Sequence, residues 1–137
     1  MKLLSLSVFF IIVSQYVYAE GSEDFIGKFK GTEKSVITCE NSSWNKSESR
    51  NWQTTHSDLN DNTYKFLTKV AGGTYKGEGT IAGGSATGTF KGKDGFGNSC
   101  SGEFTVAING DELKATSSGS CPSVKCDFTG DVTAKRQ

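Results

Sequence analysis

Four cysteines and one histidine carry most of the chemical potential of this 137-residue chain. The cysteines are Cys39, Cys100, Cys121 and Cys126, and the histidine is His56. A structural zinc site would call for paired knuckles of closely spaced cysteines. Only Cys121 and Cys126 are near one another, bracketing Pro122, Ser123, Val124 and Lys125. An even number of cysteines in an exported chain is the pattern of disulfides, so two bridges are expected and no metal. The pairing stays open. Cys121 with Cys126 across a hairpin would leave Cys39 with Cys100, whereas pairing of the first and last strands would favour Cys100 with Cys121 and Cys39 with Cys126.

Catalytic patterns are sparse. His56 has Ser57, Asp58 and Asp61 for neighbours, but a triad is assembled in space, and in a strand Ser57 points away from His56. The expectation is a surface histidine in a polar loop. Asp58, Asn60 and Asn62 imitate the start of a calcium loop, yet Thr63 stands where its glycine is due and Lys69 where its glutamate is due. Gly77, Gly79 and Ala82 match a dinucleotide fingerprint on spacing alone, within alternating strands that offer no helix to a pyrophosphate. The carboxylates Glu78, Asp94, Glu103, Asp111, Glu112 and Asp127 fall at turns or opposite the apolar face, where no desolvated pair is expected. The reading is therefore of a protein with no catalytic residues and no cofactor.

The elements that position these residues begin after residue 19. Lys2 precedes the apolar run Leu3–Val13, and Val17-Tyr18-Ala19 fits a signal-peptidase site. The run is too short to span a bilayer, which takes about 20 residues. Residues 1–19 thus read as a signal peptide, 20–24 as a short flexible N-terminus, and 25–137 as one β-domain, secreted or periplasmic. After residue 19 the chain holds 14 basic and 15 acidic residues, interspersed. Such a balance gives no electrostatic drive toward nucleic acid, which selects clustered Lys and Arg. No membrane span is expected, and a monomer is.

Period-two patterning dominates the second half. Gly102, Phe104, Val106 and Ile108 alternate with polar or small residues, Asn109-Gly110 signals a type I′ turn, and Leu113 and Ala115 continue the apolar face. Phe128, Gly130 and Val132 repeat the pattern. Gly83-Gly84 separates Thr74–Ile81 from Ala86–Lys91, and Val36–Cys39 and Tyr64–Val70 are strand-like. Four times an aromatic precedes a glycine by two positions: Phe29/Gly31, Tyr75/Gly77, Phe90/Gly92 and Phe128/Gly130. Rings covering glycines allow strands to coil sharply, as barrels require. The fold expected is a small antiparallel, up-and-down β-barrel of seven to nine short strands, with a β-sandwich as the alternative. Gly27-Lys28-Phe29 resembles the Gly-x-Trp that opens lipocalin-type barrels, with phenylalanine in place of tryptophan; three residues imply no family assignment.

Residues 40–63 contain only Trp44, Trp52 and Leu59 as large apolar residues and read as a long polar loop or exposed hairpin. The segment also carries glycosylation sequons at Asn41 and Asn45, relevant in a eukaryote. Exposed rings among polar residues suit a glycan or a protein partner. Trp44, Trp52 and His56 are accordingly the candidate binding residues of a non-enzymatic binding protein. A lipocalin-like carrier of a small apolar ligand is the alternative, and an inhibitor of a secreted hydrolase a further one. So few large apolar residues argue for a filled interior, while inward glycines argue for room.

Overall fold

A computed structural model describes residues 24–137; the expected signal peptide and most of the short N-terminus lie outside them. Eight strands, each antiparallel to its neighbours in sequence, close into a barrel when the first pairs with the last. They are β1 (Gly27–Cys39), β2 (Lys46–Asn60), β3 (Thr63–Val70), β4 (Gly73–Ala82), β5 (Ser85–Lys93), β6 (Ser99–Asn109), β7 (Glu112–Cys121) and β8 (Cys126–Arg136). The up-and-down barrel anticipated from the alternation is therefore the fold, and the sandwich is excluded.

Alternation sends one set of side chains inward. Phe29, Glu33 and Ser35 of β1 are buried, while Lys28, Lys30 and Lys34 beside them in sequence are exposed. The outward face is largely Lys, Thr and Ser, as on Thr87, Thr89, Lys91 and Lys93 of β5. Among the described residues no helix is long and apolar enough to cross a membrane.

Segment 40–63 is not a loop. Apart from a short 3-10 turn at Ser42–Trp44 it forms β2, the longest strand, paired with β1 from Gly27↔His56 to Ile37↔Lys46. Its polarity concealed it, because Glu48, Arg50, Thr54 and His56 occupy inward positions where an apolar residue is the usual marker. Asp61-Asn62, not a metal loop, turns the chain into β3: both have positive φ, the pattern of a type I′ turn. Asp58, also at positive φ, sits in the irregularity between Ser57 and Asn60. The turn after β6 likewise differs from expectation. Asn109 pairs with Glu112, so the turn residues are Gly110-Asp111, with positive φ at Gly110 alone, as in type II′.

Glycine–aromatic pairing operates chiefly across strands, although the Tyr75 ring also meets Gly73 of its own strand. Tyr64 lies over Gly79, Phe66 over Gly77, Phe104 over Gly88, Phe90 over Gly102 and Phe128 over Gly119, each glycine being the register partner of its aromatic. A Cβ on Gly102 would stand 2.8 Å from the Phe90 ring, and one on Gly119 would stand 2.6 Å from Phe128. The expected same-strand pairs are not the ones formed, because a ring leaning sideways reaches the adjacent strand. The device itself is as anticipated.

One disulfide joins register partners, and the other lies one step beyond the last paired residues of its two strands. Cys39–Cys126 crosslinks β1 to β8 and Cys100–Cys121 crosslinks β6 to β7. Pairing of the first and last strands decides between the alternatives. Each bridge lies at the end of the barrel where β1, β3, β5 and β7 finish.

Candidate functional site

An eight-stranded barrel has an interior that side chains can fill or that can hold one small ligand. Here one end is filled and the other is hollow. Toward the floor, where β2, β4 and β6 finish, Phe25, Phe29, Tyr64, Ile81, Ile108 and Leu113 form a buried core. Above it opens a cavity of about 730 Å³, within the range of small-molecule sites. The filled interior expected from the scarcity of apolar residues is thus corrected. Rings that lie against glycines of the next strand hug the wall and leave the barrel axis open.

The floor is an aromatic stack. The His56 ring stands 4.5 Å from Tyr64 and 5.5 Å from Phe29 between centroids, and Phe25 is 5.8 Å from Tyr64. His56 is only 5 % exposed, so it is no surface histidine. Burial pushes its pKa down to about 4, against the hydrogen bond to the Phe25 carbonyl, with the nearby Arg136 charge lowering it further. The neutral ring therefore donates from Nδ1 to that carbonyl at 2.9 Å. Arg136 closes the floor from outside, lying 4.7 Å from the Phe29 ring centre while its Nη1 donates to the Ile26 carbonyl at 2.7 Å.

At mid-height the wall is charged. Arg50 donates from Nε and Nη2 to the same oxygen of Glu33, Oε1, and the Nε bond is 3.1 Å. Its Nη1 lies 3.8 Å from Glu48, which also meets Lys46 at 3.4 Å. Glu33 is 6 % exposed. Trp52, Phe66 and Phe104 complete this level, with the two phenylalanines edge-to-face at 4.9 Å.

Nearer the mouth, Tyr75, Phe90 and Phe128 continue the aromatic wall, Phe90 meeting Tyr75 edge-on at 5.9 Å and Phe128 at 6.0 Å. Burial raises the Tyr75 hydroxyl above its ordinary range, and Asp94 raises it further. Asp94 itself opens the β5–β6 loop. Burial would raise its carboxyl, but hydrogen bonds from Asn98 and Phe96 outweigh that and hold it low; the Asn98 and Phe96 amides donate to Oδ1 at 2.8 and 2.9 Å. Asp94 also comes near the sulfurs of Cys100 and Cys121, which are bonded to each other and offer no thiolate to a metal.

Protein-family models and curated proteins give no match to this chain. The barrel must speak for itself.

Of the three binding candidates, Trp44 is 54 % exposed on the 3-10 turn at the mouth, Trp52 is half-buried in the cavity wall, and His56 is buried beneath it. All three line the cavity, at its rim, middle and floor, and they do not form one outer surface. Sequence reasoning missed Glu33 and Arg50 altogether. For Arg50 a signal was available: Glu48, Arg50, Trp52, Thr54 and His56 occupy every second position of one stretch. Of the carboxylates weighed as acids and bases, Asp94 alone lines the cavity, while Glu78, Glu103, Asp111, Glu112 and Asp127 are exposed.

Proposed function

We propose that the chain is an extracytoplasmic, non-enzymatic carrier that holds one small molecule with a ring or apolar body inside its barrel. The cavity of about 730 Å³ walled by Trp52, Phe66, Phe90, Phe104 and Phe128 carries this reading. Concave, largely apolar sites with a few placed polar groups are the usual form of small-molecule pockets. The two disulfides suit an oxidising compartment, which the sequence of residues 1–19 independently suggests.

Native mass spectrometry of residues 20–137, exported into an oxidising compartment, and titration with the apolar dye Nile red test the proposal. Saturable dye uptake at one site per chain, or a small-molecule adduct released on denaturation, is the expected result. Trp52→Ala should weaken dye binding by about tenfold or more, a loss of roughly 1.4 kcal/mol, with Trp44→Ala having little effect. A bare chain that takes up no dye would end the carrier reading.

One observation favours a second reading. Phe96, 89 % exposed on the β5–β6 loop, and Trp44 both stand at the rim. Exposed rings in that position suit a protein or glycan contact. In that case Trp44→Ala, and not Trp52→Ala, would abolish the interaction.

A further inference from the structure

The charges in the barrel wall narrow the class of ligand, provided that the carrier reading holds. Among the described residues five charged side chains line the cavity: Glu33, Glu48 and Asp94 against Lys46 and Arg50, a net of −1. Arg50 is already committed. Its Nε and Nη2 both serve Glu33 Oε1, and its Nη1 faces Glu48. An anionic ligand that used the guanidinium would have to take it away from Glu33 and leave that carboxylate buried without its partner, an expensive exchange, and Lys46 is already paired with Glu48 at 3.4 Å.

The carboxylates stand differently. Because both Arg50 donations fall on Oε1, Glu33 Oε2 is left outside the guanidinium fork. It lies over Gly130, where the missing side chain makes room: a Cβ there would be 2.7 Å from Oε2 and 2.9 Å from Ser117 Oγ. Ser117 and Glu33 both line the cavity, so an acceptor and a hydroxyl converge at mid-height. Trp52, Phe66 and Phe104 line the same cavity, and aromatic faces attract cations through their quadrupoles.

We infer that the ligand is an organic cation, an amine on a ring or apolar body, whose ammonium donates to Glu33 Oε2 and whose body lies among the aromatic rings. Glu48, nearer the rim, adds to the field that the ammonium enters. An amine brings the positive charge that this wall lacks and satisfies the oxygen that Arg50 does not reach.

Three compounds of one shape test this by calorimetry on the oxidised chain: tryptamine, its neutral counterpart tryptophol and its acidic counterpart indolepropionate. Tryptamine should bind about tenfold more tightly than tryptophol, as a charge-assisted hydrogen bond would give, and indolepropionate should bind most weakly. Glu33→Gln removes the acceptor charge but leaves Arg50 with only the more distant Glu48 for a counter-ion and endangers folding. The double variant Glu33→Gln, Arg50→Gln keeps a neutral pair in place and should remove most of the preference for tryptamine over tryptophol. Equal binding of amine and alcohol by the native chain, or tighter binding of the acid, would overturn the inference while Nile red uptake left the carrier standing. Failure of Nile red and all three compounds would sink both.

Discussion

At the floor of the barrel three pairs of strands are joined by two-residue turns, at 61–62, 83–84 and 110–111, and the interior is packed by Phe25, Phe29, His56 and Tyr64. At the mouth three of the four connections lengthen, to 40–45, 94–98 and 122–125, and the interior empties into the cavity. The same eight strands run through both ends, so the hydrogen-bonded ladder cannot account for the difference. What holds the floor is burial; what holds the mouth is covalent. Keeping the mouth hollow forgoes the apolar contact that would otherwise fix the strands there, and the two bridges supply that constraint without occupying the axis. If the carrier proposal holds, the ligand occupies the end that is held covalently rather than by packing.

The sharpest way to break this contrast is to truncate one ring at each end. Phe29→Ala should cost about 4 kcal/mol, because Phe29 is wholly buried and its removal leaves a void among tightly packed neighbours. Phe90→Ala, against the open cavity, should cost less than half as much and act on Nile red binding instead. Equal losses in urea unfolding would mean that the two ends are packed alike.

Next come the bridges. Replacing Cys39 and Cys126 by alanine should destabilise the chain by about 3 kcal/mol. The bridge spans 87 residues of sequence, against 21 for Cys100–Cys121, so its loss should exceed that of the other by about 1 kcal/mol. Either pair of substitutions should weaken ligand binding as well, since Cys39, Cys121 and Cys126 line the cavity. Urea midpoints paired with dye titrations check this; a mouth that binds normally without its bridges would show that they are dispensable to it.

The last expected effect is a pH dependence confined to the floor. His56 is held neutral in the folded chain, with a pKa near 4 in place of 6.5, so between those values the unfolded chain binds the extra proton. Stability is then fully present above about pH 6.5, falls as the pH drops toward 4, and levels off below, a loss of at most about 3 kcal/mol. His56→Phe should flatten the curve in that window, measured by urea unfolding at successive pH values. A curve unchanged by the substitution would place the acid sensitivity elsewhere.

Much of the barrel could be read from the chain alone, and the unreadable part has a physical cause. β6, β7 and β8 follow a plain alternation because their inward residues, such as Val106, Leu113 and Val132, are apolar. β2 hides because its inward residues Glu48, Arg50, Thr54 and His56 satisfy one another or their neighbours inside, as Thr54 does by pairing with Thr68 at 2.8 Å. A polar residue pointing inward leaves the same trace in sequence as one in a loop. The cavity was hidden for a related reason. Whether glycines make a hollow depends on which rings lean over them from the next strand, and only register reveals that.

The seam between β1 and β8 gives the chain an order of events. Cys39 has its partner 87 residues downstream, whereas Cys100 and Cys121 are 21 apart. As the chain emerges from its N-terminus, Cys39 waits as a free thiol while two wrong partners pass it, and the first strand has no neighbour on one side until the last has arrived. Long-range closures of this kind are slow, and partly closed sheets present open edges. The hairpin of β6 and β7 can lock first, removing Cys100 and Cys121 from competition before Cys126 appears. In this way the short bridge guards the fidelity of the long one.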